Sequence, residues 1–213
     1  DMVKKIITVG LPTAIGSSAM QFGFVLMSKN VYVFGSAAMA AYGVGNKING
    51  IITLPANALG SATSTIVGQN LGAGQIKRAE KSYKSAMLMG ICFLFTAGMI
   101  LSRQAVASAV VNIFTDDHDV MPMAVDFISI MAFWCFANSP YHCTMGLLNS
   151  SGKTKITMII EAARLWVFRF VTIFFCQRVL HMGVESIWYS VVASNGLSAI
   201  VLLIIYATRI WEK

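Results

Sequence analysis

The chain has 213 residues, 16 Lys+Arg against 9 Asp+Glu, 56% hydrophobic residues and a mean hydropathy of +0.69. Only 12% of its residues are charged, against roughly 25% in soluble globular domains, which excludes a soluble enzyme, a disordered tail and a disulfide scaffold. An all-α polytopic membrane protein remains, because lipid tolerates this much apolar surface and demands helices that satisfy their own backbones.

The sequence begins with Asp1 ahead of Met2, and reads as part of a longer polypeptide. The first helix is predicted over about 6–33, charge-free through residue 28 and carrying the lone amide Gln21. The second covers about 36–70. Ala56, Gly60, Ser64, Gly68 and Gly72 recur along it every four residues, a ridge of small side chains that lets helices approach closely. Asn46, Lys47, Asn49, Thr53, Asn57 and Thr65 accompany the ridge and should face protein or a wet cavity. Lys47 falls near the middle of the hydrocarbon, where a cation costs about 2.5–3.5 kcal/mol on insertion scales. It reads either as a cavity residue or as a cation paired with an acceptor. Pro55 removes a backbone donor and is the expected bending point of this long helix.

The third helix covers about 80–102, after the cationic stretch 75–84. An interfacial stretch at 105–114 and an acidic turn with Asp116, Asp117 and Asp119 follow. The fourth helix, about 123–149, carries Asn138, Ser139, Pro140, Tyr141 and His142 within its apolar run. A proline beside an amide and an imidazole predicts a bend with freed carbonyls, the kind of place where transporters bind ligands. The fifth, about 156–179, holds Glu161 and Arg164 three residues apart, a spacing that predicts a structural ion pair. Arg169 lies deeper and should point inward. The sixth covers about 186–209 and carries Asn195.

Six spans put both ends of the chain on one side. That side receives Lys4, Lys5, Lys77, Arg78, Lys81, Lys84, Lys153, Lys155, Arg209 and Lys213, the other only Lys29, Arg103 and Arg178. The bias predicts cytoplasmic termini and contact with anionic lipid, and accounts for the net charge of +7 without nucleic acid. The four cysteines and three histidines are scattered, so neither a metal motif nor a catalytic constellation is predicted, and no cofactor.

Several runs resemble one family. They are Ala40, Ala41, Tyr42, Gly43 and Val44 with Lys47 and Ile48, then Leu54 and Pro55, then Gly68, Gln69, Asn70, Leu71, Gly72, Ala73 and Gly74 with Arg78 and Ala79. The Gly10, Leu11, Pro12 opening, the run Ile113, Phe114, Thr115, Asp116 and the arginine-bearing fifth helix fit as well. Together they are similar to the C-terminal six-helix lobe of multidrug and toxic compound extrusion (MATE) transporters. The resemblance implies a twelve-helix transporter of two lobes, placed in the cytoplasmic (inner) membrane. It would export cationic or amphiphilic compounds by alternating access, coupled to H⁺ or Na⁺ entry. The implied partners are membrane lipid, an N-terminal lobe, a small-molecule substrate and the coupling cation. Some sodium-coupled members carry acidic residues on the lobe's first and fourth helices; here Gln21, Asn138 and His142 stand there instead. Gln21, Lys47, Asn57, Asn138 and His142 are the candidate lining residues, with Pro55 and Pro140 as hinges. Two alternatives carry different expectations: a flippase for lipid-linked oligosaccharides, which would need several cations around its cavity, and a truncated fragment that transports nothing.

Overall fold

A computed structural model of the chain describes residue 18 and residues 20–212. Lys4, Lys5, the Gly10, Leu11, Pro12 opening, the beginning of the expected first helix and Lys213 lie outside the described residues. Among the described residues there is no strand. Residues 20–32 form α1, followed by α2 (Ser36–Gly72), α3 (Ile76–Leu101), α4 (Gln104–Asn112), α5 (Val120–Phe133), α6 (Asn138–Ser150), α7 (Thr154–Ala163), α8 (Phe170–Arg178) and α9 (Glu185–Ala207). By length and apolarity α3 and α9 can each cross a membrane, and α5 with α6 meets the same standard as a pair bent by 50°. The polar residues along α2 dilute its apolar character, and an irregular turn divides α7 from α8, so neither meets the same standard alone.

Two interruptions shape the lobe. Between α5 and α6 lies a single 3₁₀ turn, Cys135–Ala137, and the two helices meet at 50°. Pro140 explains its place: it has no N–H, and its ring collides with the carbonyl four residues back, at Phe136. The expected hinge at Pro140 therefore corresponds to a bend one turn upstream of it. Between α7 and α8 the chain takes a π-helical turn, Arg164–Arg169, which adds a residue to the turn and re-aims the side chains around it. Pro55 behaves differently. It sits inside α2, which continues through it unbroken for 37 residues, so the bending point predicted there is not a break. The carbonyl that Pro55 leaves unpaired belongs to Ile51, whose side chain is exposed.

α2 packs along α6, and α3 closes against both. Glycines permit the approach: a Cβ at Gly98 would strike the Ala132 carbonyl oxygen, and one at Gly90 would strike Ser139. Hydrogen bonds then fix the register. Ser139 Oγ donates to the Met87 carbonyl (2.9 Å), Cys135 Sγ to the Leu94 carbonyl (3.1 Å), and Tyr83 shares a hydrogen bond with Thr144 (2.8 Å). Polar groups in lipid need such partners, because the surroundings offer none. At one end Tyr42, Phe127 and Trp188 form an aromatic core.

The other end gathers the cationic turns. Gly74 and Gly152 terminate α2 and α6 with φ of 71° and 77°, a conformation that favours glycine. Exposed Lys77, Arg78, Lys81 and Lys84 follow Gly74, while Tyr83, Tyr206 and Trp211 stack beneath them. Tyr206 donates to Glu80 Oε1 (3.0 Å), and Lys84 pairs with the same oxygen (2.6 Å). Tyr206→Phe keeps the ring and deletes the donor. It is expected to lower stability by about 1 kcal/mol, read as a lower thermal unfolding midpoint; an unchanged midpoint would show that α9 is fastened by packing alone.

Candidate functional site

The small-residue ridge of α2 is where the site begins. Gly60 faces α6 so closely that an added Cβ would lie 2.7 Å from the His142 carbonyl oxygen. Gly146 answers from α6, where an added Cβ would run into the Gly60 carbonyl oxygen. With both side chains absent, the two backbones touch and a cleft of about 400 Å³ opens beside the contact. Asn57, Ser61, Ser64 and Thr65 line it from α2. Their spacing of four, seven and eight residues from Asn57 marks one helix face. Tyr141, His142, Met145 and Asn149 line it from α6, again at helical intervals.

The third wall is α7. Thr157 Oγ1 donates to Asn149 Oδ1 (2.8 Å) and ties the two helices together. One turn further along the same face, Glu161 reaches the cleft. The ion pair expected between Glu161 and Arg164 is not formed. Among the described residues the ion pairs are Lys84 with Glu80 and Arg209 with Glu212. Arg164 instead places its guanidinium 4.6 Å from the centre of the Tyr141 ring, a cation–π contact. The helix keeps its α-helical bond from the Arg164 N–H to the Ile160 carbonyl, so the pair is not lost through spacing; Arg164 instead turns to a ring on α6. Arg169, at the end of the π-helical turn, is 7% exposed and donates through Nε to Ser194 Oγ (3.2 Å). It points inward.

Of the five lining residues expected from sequence, the cleft brings together Asn57 and His142. Asn138 is buried at the start of α6, where the bend turns that end of the helix towards α3, and it lies outside the cleft. Gln21 is exposed on α1, and Lys47 is exposed on α2 well before the cleft. Sequence reasoning missed Ser61, Ser64, Tyr141, Asn149 and the role of Glu161 as a wall. The stripe of an amide and three hydroxyls at 57, 61, 64 and 65 was the available signal. The Tyr141 side chain is 2% exposed and its hydroxyl is buried with no hydrogen-bond partner. Among the described residues Glu161 is the only charged one in the lining, and no Lys, Arg or Asp contributes. Among the described residues no group of three His, Cys, Asp or Glu side chains could hold a metal ion. The arrangement provides polar neutral walls and one carboxylate, suited to holding a positively charged or polar guest without covalent chemistry.

Comparison with known proteins agrees with the fold. The MatE family profile matches residues 12–175. A probable multidrug resistance protein NorM of Thermotoga maritima is 24% identical over 213 residues, covering 99% of this chain and 45% of that protein. A probable multidrug resistance protein YoeA of Bacillus subtilis is 21% identical, covering 100% of this chain and 45% of its own length. The chain thus spans less than half the length of these relatives. Among solved structures, one described as an inward-facing MATE family transporter has a TM-score of 0.86 at 16% identity, covering 97% of this chain and 48% of that one. One described as outward-facing has a TM-score of 0.85 at 17% identity, with coverage of 97% and 46%.

Proposed function

Because the chain belongs to the MatE family, we propose that it forms the C-terminal lobe of a membrane exporter that moves cationic or amphiphilic compounds by alternating access. A second six-helix lobe supplies the rest of the passage, and the entry of H⁺ or Na⁺ drives export. Both termini of this lobe face the cytoplasm, where the basic turns after α2 and α6 meet the anionic leaflet.

The observation that carries this reading is the near-equal likeness to an outward-facing and an inward-facing structure, with TM-scores of 0.85 and 0.86. A lobe whose fold suits both states supports movement as a unit, with access exchanged by rocking against its partner. The exposed face of α2 supplies a surface for such a partner. Asn46, Lys47, Gly50, Leu54, Asn57 and Ser61 are all exposed along it. Bare amides and a lysine are costly against acyl chains, so this face belongs against protein or a wet passage. The flippase alternative is less well served: among the described residues the cleft lining holds no cation for a phosphate group, and both arginines of the fifth span are engaged with Tyr141 and Ser194.

The test is ethidium efflux from drug-sensitive cells expressing the complete gene product. Efflux above a vector control supports export, and efflux equal to the control overturns it. Lys47→Ala refines the test. Its side chain is exposed, so stability should stay within about 0.5 kcal/mol and membrane insertion should be normal. Efflux should fall several-fold if Lys47 faces the passage. Full efflux in the variant would remove Lys47 from the transport path.

A further inference from the structure

We propose that the groove between α1 and α8 is a phospholipid site, with one acyl chain along its apolar walls and the headgroup phosphate held by Lys29 and Arg178. The site lies on the outside of the lobe, away from the cleft. It depends on the chain being embedded in a membrane and not on the export of any compound.

The groove follows from how α1 meets the fifth span. At Gly23 the two touch: an added Cβ would strike the Leu165 side chain, and the Phe22 and Trp166 rings stack with centroids 6.3 Å apart. Further along, the contact gives way to a groove of about 430 Å³, lined by Asn30 from α1 and by Phe170, Val171, Ile173, Phe174 and Gln177 from α8. Both helices run the same way here. Asn30, eight residues past Phe22, therefore stands roughly level with Phe174, eight past Trp166. The walls are ordered along the axis: hydrocarbon near the Gly23 contact, then the amides of Asn30 and Gln177. Val171 and Phe174 are exposed, so the groove opens outward.

Charge follows the same order. Lys29 adjoins Asn30, Arg178 adjoins Gln177, and both are exposed. On the side opposite the basic turns the cations are Lys29, Arg103 and Arg178, so two of the three gather at this groove. Among the described residues neither is ion-paired. The amides add donors. Asn30 Nδ2 donates to the Leu26 carbonyl (3.0 Å) and Gln177 Nε2 to Ser186 Oγ (3.2 Å); each NH₂ carries a second hydrogen. Phosphate and ester oxygens are acceptors, and long basic side chains reach headgroup level with their stems along apolar surface. A phospholipid thus presents chain to the apolar walls and anion to the cations in the order the groove has them. An apolar helix of a second copy would leave both cations bare.

The measurement is photocrosslinking of the complete gene product in phosphatidylcholine vesicles that contain phosphatidylglycerol with a diazirine on its acyl chain, followed by peptide mapping. The exposed residues Leu88, Met89 and Phe93 of α3 report contact with bulk lipid. In the wild-type protein α8 should be labelled several-fold more than α3. Lys29→Gln combined with Arg178→Gln should reduce that excess about tenfold, since two cations near an anionic headgroup are lost. Val171→Trp fills the groove and leaves the cations in place, and should reduce it as much. Labelling of α8 no greater than that of α3 overturns the proposal, and this wild-type ratio decides even where a variant fails to fold. An excess that survives both variants also overturns it. Loss in the charge variant with none in Val171→Trp describes a site for free phosphate and overturns the placement of the chain. A dimer that Val171→Trp dissolves, with α8 unlabelled, overturns the proposal in favour of a second copy. The labelling ratio is independent of ethidium efflux, so the two readings stand or fall separately.

Discussion

Gly146→Val is expected to drive α2 and α6 apart and to cost the lobe about 3 kcal/mol or more. The reason is the kind of atom met. A Cβ at Gly146 would run into the Gly60 carbonyl oxygen and lie 3.2 Å from the Ser64 backbone nitrogen. Flexible side chains can swing away from an intruder, whereas two helical backbones can only separate. Separation would strain the α3 contacts as well, since Ser139, near the start of α6, is bonded to Met87. The measurement is the thermal unfolding midpoint of the detergent-purified protein, together with the amount recovered from membranes. Gly50 provides the control. It lies on α2, the facing helix, with nothing within 4 Å of an added Cβ, so Gly50→Ala should hold or raise the midpoint. An unfolding midpoint for Gly146→Val equal to wild type would show that the helices are not in backbone contact, and the cleft built on that contact would go with it.

Arg169→Met is expected to act in the opposite direction, raising stability by about 1–3 kcal/mol while lowering export. Arg169 is 7% exposed and makes one side-chain hydrogen bond, to Ser194, with no carboxylate paired to it among the described residues. Replacing buried charge with an apolar side chain of similar volume commonly stabilises, because the desolvation cost disappears. Ser194 is left satisfied by its own bond to the Val191 carbonyl (2.9 Å). A gain in midpoint with a loss of ethidium efflux would mark Arg169 as a charge retained for function at the expense of stability. A midpoint several degrees lower would assign the guanidinium to holding the π-helical turn against α9.

The positions of the helices were legible because lipid imposes a simple rule on sequence. Long apolar stretches at 80–102 and 186–209 correspond to α3 and α9, each able to cross a membrane. The ridge at Ala56, Gly60, Ser64 and Gly68 could be read as a contact surface before its partner was known, since small side chains at helical spacing have few other uses. The bend before Pro140 was legible for a similar reason: a missing donor and a ring clash act on the local chain, whatever lies around it. Pro55 shows the limit of the same rule. Its local chemistry is identical, yet α2 continues through it.

The site was less legible. Asn57 and His142 line the cleft, while Gln21, Lys47 (singled out for its depth) and Asn138 (singled out for its place at the bend) stand outside it. Polarity says that a side chain needs company; it does not say which helix supplies it. Glu161 was misassigned for a sharper reason. Spacing of three residues brings two side chains within reach but does not exclude a competitor from another helix, and the Tyr141 ring on α6 takes the Arg164 guanidinium.

The amino-acid sequence alone determined the class of solvent, the helical content, the helix that packs most closely and the family, because each depends on composition or on periodicity within one segment. Only the tertiary structure decided which polar residues meet, that Arg164 turns to Tyr141, and that Glu161 is the single charge lining the cleft among the described residues. Those outcomes depend on how α2, α6 and α7 are set against one another, through the Gly60 and Gly146 contacts and the Thr157–Asn149 hydrogen bond, which no single segment encodes.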